Sequence, residues 1–195
     1  MIWAVVLAAG ESRRMGTQKL LLSYGGTTVV EAVVRAALDS EADRTLVVLG
    51  ADREKVRRAL ESYPLTFAVN RSYRRGMLSS VQAAFRALPA EAEAAVVMLG
   101  DQPAVASRTV DELVLAYRGG GRGIYLPVYG ERPGHPLLVD TGYRSEVLGL
   151  DPAVGLRQLL QTHQKDVVPV RVSEGEAPED MDNPEDYEKL VSRRR

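Results

Sequence analysis

The chain has 195 residues with no cysteine and two histidines far apart, which removes disulfides, thiol nucleophiles and thiolate metal sites and gives no basis for a zinc centre. Hydrophobic residues at 45% against 26% charged are the proportions of a folded globular protein, long enough to bury a sizeable core in one domain. A net charge of −1 provides no global basic field for nucleic acid, so phosphate chemistry has to rest on local placement.

In chain order, Ile2 to Leu7 is an apolar run that reads as a fully buried strand. It starts directly at Met1, with no basic residues ahead, and runs into an arginine-rich loop, so it is expected to be a core strand and not a signal peptide. No apolar run approaches the ~20 residues of a membrane span, and the cytoplasm is the expected compartment. Thr27 or Thr28 is expected to cap a helix with Val29, Val30, Val33, Val34, Ala37 and Leu38 at helical spacing. Arg44 to Leu49 reads as a second buried strand, followed by a helix from an Asp52 cap to about Ser62. Leu65 to Val69 is a third strand, Asn70 to Gly76 a polar loop, and Met77 to Leu88 a helix. Ala94 to Leu99 is the fourth strand, and a helix capped by Ser107 runs to about Tyr117, broken by Gly119-Gly120-Gly121.

Four strand–helix units in a row predict an α/β fold: a mostly parallel sheet, helices on both faces and right-handed crossovers. The second half is less regular. Strands are expected at 124–129 and 136–139 around a turn at 130–134, helices near 142–149 and 153–163, and a strand at 167–172. Asn183-Pro184-Glu185-Asp186 opens a last helix to about Val191, with Asn as cap and Pro in the first turn. Arg193-Arg194-Arg195 reads as a frayed, solvated end. No repeat, low-complexity tract or linker divides the chain, and residues 1–195 are expected to form a single domain.

The most informative stretch is 7–22. Gly10, Gly16, Arg13, Arg14 and Lys19 follow the first strand, where an open α/β sheet holds its ligand. Small residues there let backbone amides approach phosphate oxygens, and the cations neutralise a polyphosphate. It is not a P-loop, because five residues separate Gly10 from Gly16 and Thr17 follows directly; nor is it the dinucleotide fingerprint, since position 12 is Ser. Asp101, just after the fourth strand within Gly100-Asp101-Gln102-Pro103, is placed to hold a divalent ion or to form an Asx-turn. Gly100 is expected to leave room for that ligand. Asn70 to Ser80 is either a ligand-facing loop or an ordinary Ser-capped helix start, and the 180–186 segment a metal-facing or merely helix-capping acidic run. His135 is a donor to an acceptor phosphate or a satisfied structural histidine, and His163 a charge partner at a helix C-terminus.

Leu7-Ala8-Ala9-Gly10, a spacer, Arg14-Met15-Gly16 and then Lys19 resemble the signature loop of nucleotidyltransferases, within which the chain is most similar to the molybdenum cofactor cytidylyltransferases and their relatives. The turns Gly100-Asp101-Gln102-Pro103 and Gly134-His135-Pro136, the stretch Asn70 to Ser80, and Asp180-Met181-Asp182-Asn183-Pro184-Glu185-Asp186-Tyr187 extend the resemblance over nearly the whole chain. Met181 replaces the usual aliphatic residue and Asn183 the usual Thr, both mild departures.

The resemblance implies a Rossmann-like three-layer sandwich whose N-terminal half binds nucleotide and whose C-terminal half binds acceptor. It implies nucleotide contacts from Leu7, Ala8, Ala9, Gly10, Arg14, Lys19, Asn70, Gly76, Ser79 and Ser80, and an acceptor site near His135. Mg²⁺ would be held by Asp101 and Asp182, with Arg14, Lys19 and Asp101 in the catalytic group. The implied reaction moves a nucleoside monophosphate from an NTP to the phosphate of molybdopterin or molybdenum cofactor, releasing pyrophosphate, without a covalent intermediate or general base. Ala8-Ala9-Gly10, against Ala-Gly-Gly in guanylyl transfer, points to CTP, and the product would pass to a molybdoenzyme partner. Guanylyl transfer, or a sugar or small-acid phosphate as acceptor, belongs to the same superfamily. A non-catalytic accessory protein that delivers cofactor to a molybdoenzyme is the reading from a different class.

Overall fold

The computed structural model describes residues 1–172 and 179–193; Arg194 and Arg195 of the expected frayed end lie outside the described residues. The first strand, β1 (Ile2–Ala8), is buried along its whole length. A small hairpin follows, β2 (Ser23–Tyr24) and β3 (Thr27–Thr28), then α1 (Val29–Leu38), β4 (Arg44–Leu49) and α2 (Arg53–Ala59). After them come β5 (Thr66–Val69), α3 (Met77–Ala87), β6 (Ala94–Leu99) and α4 (Ser107–Gly120). The irregular half holds β7 (Ile124–Tyr129), β8 (Arg132–Pro133), β9 (Leu137–Asp140), α5 (Arg144–Gly149), α6 (Arg157–Thr162), β10 (Val167–Arg171) and α7 (Pro184–Ser192).

The main sheet runs β10-β7-β9-β6-β1-β4-β5, with β8 paired to β7. β1, β4, β5 and β6 are parallel, whereas β9 is antiparallel to both β6 and β7. Alternation along β1 feeds two cores. Ile2, Ala4, Val6 and Ala8 face α1, α2, α4 and α7, while Trp3, Val5 and Leu7 face α3, α5 and α6. Four buried valines of α1 contribute about 1.5–3 kcal/mol each. Packing therefore holds a helix whose β-branched sequence has modest intrinsic propensity.

The expectation of uniformly right-handed crossovers is corrected. α1 carries the chain from β1 toward one sheet edge, and α4 carries it from β6 toward the other, yet both pack on the same face. Two parallel crossovers in opposite directions over one face have opposite hands. Burial of Val110, Leu113 and Val114 against the α1 side fixes α4 there. The loops leaving β1 and β6 thus diverge and leave a crevice between them, the usual ligand position of an open α/β sheet.

Some local expectations also change. Thr28 caps α1 in a reciprocal capping box with Glu31, and Asn183 does the same for α7 with Asp186. Asp52 occupies the N-cap position of α2 without a side-chain cap bond; it sits in a left-handed conformation with its carboxylate on Lys55, and the helix ends at Ala59. Ser107 is the first residue of α4 and not its cap, and the helix continues through Gly120, ending at Gly121 with φ +77°. Gln82 of α3 donates to the carbonyls of Val147, Leu148 and Leu150 at 3.0–3.3 Å, which fastens the end of α5 to α3.

Candidate active site

The register pairs Leu7 with Leu99, so the chains leaving β1 and β6 run side by side. Gly100 permits that approach: a Cβ there would lie 2.6 Å from the Leu7 carbonyl oxygen, to which the Gly100 amide donates at 3.1 Å. Its role is backbone packing and not, as expected, space for a ligand. Gly50 does the same on the other side, where a Cβ would lie 2.6 Å from the Ala9 oxygen.

The loop between is braced by side chains. Ser12, at φ +53°, donates its hydroxyl to Gln18 Oε1 at 2.8 Å and accepts the Lys19 amide at 3.0 Å. Gln18 Nε2 donates to the Gly10 carbonyl at 3.3 Å. Glu11 takes Arg13 at 2.7 Å and Arg74 at 3.2 Å, which ties this loop to the one after β5.

A cleft of about 580 Å³ opens at this end of the sheet. From the loop, Leu7, Ala9, Gly10, Arg14 and Lys19 border it. Gly76, Ser80, Asp101, His135 and Asp182 reach it from elsewhere in the chain. The size suits a nucleotide-scale ligand. Three expected nucleotide contacts are elsewhere. Ala8 is buried in the core, because alternation turns it to the opposite face from Leu7. Asn70 turns inward, donating to the hydroxyls of Ser79 and Ser80 at 2.8 and 3.0 Å and accepting the Ser72 amide. Ser79 in turn donates to the Gly76 and Ser72 carbonyls. Asn70 and Ser79 therefore shape the loop from behind, while Gly76, at φ +101°, and Ser80 present its front.

Charge concentrates where three segments meet. The Lys19 ammonium hydrogen-bonds the Asp101 carboxylate, donates to the Met181 carbonyl at 2.8 Å and lies 3.5 Å from Asp182 Oδ1. Arg14 reaches the other oxygen of Asp182 at 3.0 Å. Burial of Met181 in the core anchors the C-terminal segment here, with Asp180 and Asp182 on either side of it facing the cleft. Asp180 accepts from Gln102 Nε2 at 2.7 Å, and the Asp182 amide donates to Asp186 at 3.0 Å. Among the described residues no group of three or more His, Asp and Glu side chains is arranged to hold a metal. Asp101 and Asp182 nevertheless converge on one positive charge. A two-carboxylate set completed by phosphate oxygens and water is the donor chemistry that suits Mg²⁺.

His135 borders the cleft through a cis His135–Pro136 bond, with its carbonyl accepting from Tyr129 and its Nδ1 buried without a partner among the described residues. Burial pushes the imidazole below its usual 6.5, against the opposing charges of Asp180 and Asp101. Away from the cleft, His163 closes α6 and pairs with Glu146 at 2.7 Å and Asp166 at 3.3 Å. Glu11, Tyr73, Met77 and Asp180 border the cleft without having been singled out in the sequence. The spacing of Asp180 and Asp182 on either side of an apolar residue was a usable signal for the last of these.

A divergent-loop crevice lined by a glycine-containing, cationic loop and two converging aspartates defines a nucleotide-handling transferase of the α/β type. The chain belongs to the MobA-like NTP transferase family, whose domain matches residues 4–167, and is a nucleotidyltransferase. It is 28% identical to the molybdenum cofactor cytidylyltransferase of Escherichia coli over 94% of this chain and 92% of that one. It is 30% identical to nicotine blue oxidoreductase of Paenarthrobacter nicotinovorans over 97% and 96%. Among solved structures, Rv0371c of Mycobacterium tuberculosis superposes with a TM-score of 0.88 at 32% identity, covering 98% of this chain and 97% of that one. A manganese complex of Rv0371c aligns with a TM-score of 0.84 at 29% identity, covering 98% of each chain. No helix among the described residues is long and apolar enough to cross a membrane.

Proposed function

We propose that the protein transfers CMP from CTP to the phosphate of molybdopterin or its molybdenum-bearing form, releasing pyrophosphate. The observation that carries this reading is the meeting of Lys19, Arg14, Asp101 and Asp182 at the β1/β6 crevice, in a chain similar over most of its length to a molybdenum cofactor cytidylyltransferase. An acceptor phosphate oxygen attacks the α-phosphorus as the bond to the β-phosphate oxygen breaks and pyrophosphate leaves. The acceptor is already ionised, so no side chain needs to take a proton. The work is in-line positioning and stabilisation of charge.

Arg14 and Lys19 are the groups to meet the β- and γ-phosphates, with the Gly10 backbone alongside them. Asp101 and Asp182 would hold a divalent ion, Mg²⁺ in this reading, which when bound neutralises phosphate charge; the manganese complex of Rv0371c is in line with such a site. His135, whose pKa burial lowers, borders the cleft and in this reading lines the acceptor side without adding charge. Support for CTP is Ala9, which borders the cleft where guanylyl transferases carry glycine, with its methyl packed against Gly50. The test is pyrophosphate release with Mg²⁺ and molybdopterin, each of the four NTPs supplied in turn. CTP alone is expected to turn over, and release from GTP without CTP would overturn the assignment.

A second reading comes from the 30% identity to an oxidoreductase over nearly the whole chain. In it the same cleft serves an oxidation–reduction, with a loop that lacks the dinucleotide fingerprint. Oxidation of a reduced nicotinamide cofactor in place of pyrophosphate release would favour it.

A further inference from the structure

The metal reading and the lysine reading of this site draw on the same oxygens. An ammonium carries three N–H donors and no acceptor. The Lys19 side chain is only 13% exposed, and its ammonium is surrounded by the Asp101 carboxylate, the Met181 carbonyl at 2.8 Å and Asp182 Oδ1 at 3.5 Å. Hydrogen bonds to Asp101 and to the Met181 carbonyl, with an ion-pair contact to Asp182, engage it from two segments 82 and more residues away in sequence. In this arrangement two of its three donors are committed to protein oxygens and not to a triphosphate. A divalent ion on Asp101 and Asp182 would lie within a few ångströms of the ammonium, on the same carboxylates, and the two cations repel.

We propose that Lys19 and the divalent ion exchange at the Asp101–Asp182 pair, so that metal entry and delivery of Lys19 to the nucleotide phosphates are one coupled event. This rests on the metal assignment made above. Lys19 holds the two aspartates together in the absence of metal and joins the C-terminal segment to the loop through Met181. As the carboxylates turn to the ion, the ammonium is released next to the cleft, where the triphosphate is its alternative partner. Arg14 bridges the change, since its guanidinium already contacts the outer oxygen of Asp182 and is 71% exposed, free to follow that carboxylate or to turn to phosphate. The consequence is linkage: metal bound without nucleotide pays for displacing Lys19, and nucleotide relieves that cost.

The experiment measures Mn²⁺ binding to the full chain without acceptor or turnover, by the free-ion electron paramagnetic resonance signal, with and without a non-hydrolysable CTP analogue. Wild type is expected to bind Mn²⁺ more weakly alone than with the analogue. Lys19→Met is expected to bind Mn²⁺ alone about three- to fivefold tighter than wild type, the scale of one screened charge contact, and to lose much of the nucleotide enhancement. Lys19→Gln, which keeps a donor but no charge, should behave alike and replaces the methionine variant if that one is unfolded by circular dichroism. Adding Asp101→Asn to either variant should abolish the gain. Unchanged or weaker Mn²⁺ binding in the folded lysine variants overturns the exchange, as does a gain that survives Asp101→Asn. Because nothing turns over, the result is separable from the choice of CTP and pterin: transfer can occur without exchange, and exchange can be present with another acceptor.

Discussion

Gln102, buried behind the turn that follows β6, donates its side-chain amide to Asp180 at 2.7 Å and so holds the C-terminal segment, 78 residues away in sequence, against the Asp101 turn. Gln102→Leu removes this link and leaves the exposed Asp180 carboxylate to water. The expected loss is about 0.5–1.5 kcal/mol of stability, the net worth of one hydrogen bond, read by urea denaturation. A several-fold rise in KM for nucleotide or acceptor should accompany it.

Met181 is fully buried while its two neighbours face the cleft. Met181→Ala is expected to cost about 2–5 kcal/mol through loss of buried volume and the cavity left behind. Met181→Leu, close in volume, should cost less than about 1.5 kcal/mol and retain activity. Equal loss in both would show that the segment is not anchored by this packing.

Asp101→Asn preserves shape but removes a charge beside Lys19. Turnover is expected to fall by on the order of 10²-fold or more, since electrostatic groups at phosphoryl-transfer centres act mainly on the transition state. The thermal transition should remain cooperative, which separates loss of chemistry from loss of fold.

His163 and His135 respond to pH in opposite senses. A hydrogen bond to Glu146, with help from Asp166, raises the His163 pKa, so protonation is favoured in the folded chain. Its contribution to stability is fully present below the ordinary imidazole value near 6.5 and fades as pH rises through the raised folded value. Burial lowers His135, whose contribution is present above that value and fades as pH falls through the lowered one. The melting temperature of wild type minus that of His163→Gln should therefore be largest near pH 6 and shrink toward about pH 8. A difference that grows with pH would contradict the ion-pair assignment. The effect should be small, because the contacts are near the surface and screened.

The parallel half of the fold was legible because buried central strands are continuous apolar runs: Arg44–Leu49 and Ala94–Leu99 have the bounds read from sequence. The caps at Thr28 and Asn183 were legible for a local reason, since each is completed by a side chain three residues on. The β2–β3 hairpin was missed although Gly25-Gly26, both at positive φ, is a hairpin turn signal. Of the site, the loop and Asp101 could be read as candidates because they follow strand ends, and Asp182 because it directly precedes the Asn183-Pro184 helix start; the cleft gathers all three. Asn70 and Ser79 could not be placed behind the loop from sequence, because the direction of a loop side chain is decided by partners that only the tertiary fold supplies, here Ser72, Gly76 and Ser80. The hand of the β6–α4–β7 crossover was hidden for a similar reason, since it depends on which face accepts the apolar stripe of α4.

The most direct test of the proposed transfer is a single-turnover reaction with CTP labelled at the α-phosphorus, Mg²⁺ and molybdopterin, with the label followed by chromatography. Co-migration of label with the pterin, matched by one pyrophosphate per transfer and absent in Asp101→Asn, is the expected result. Label retained in CTP, with no labelled pterin and no pyrophosphate released, would contradict it.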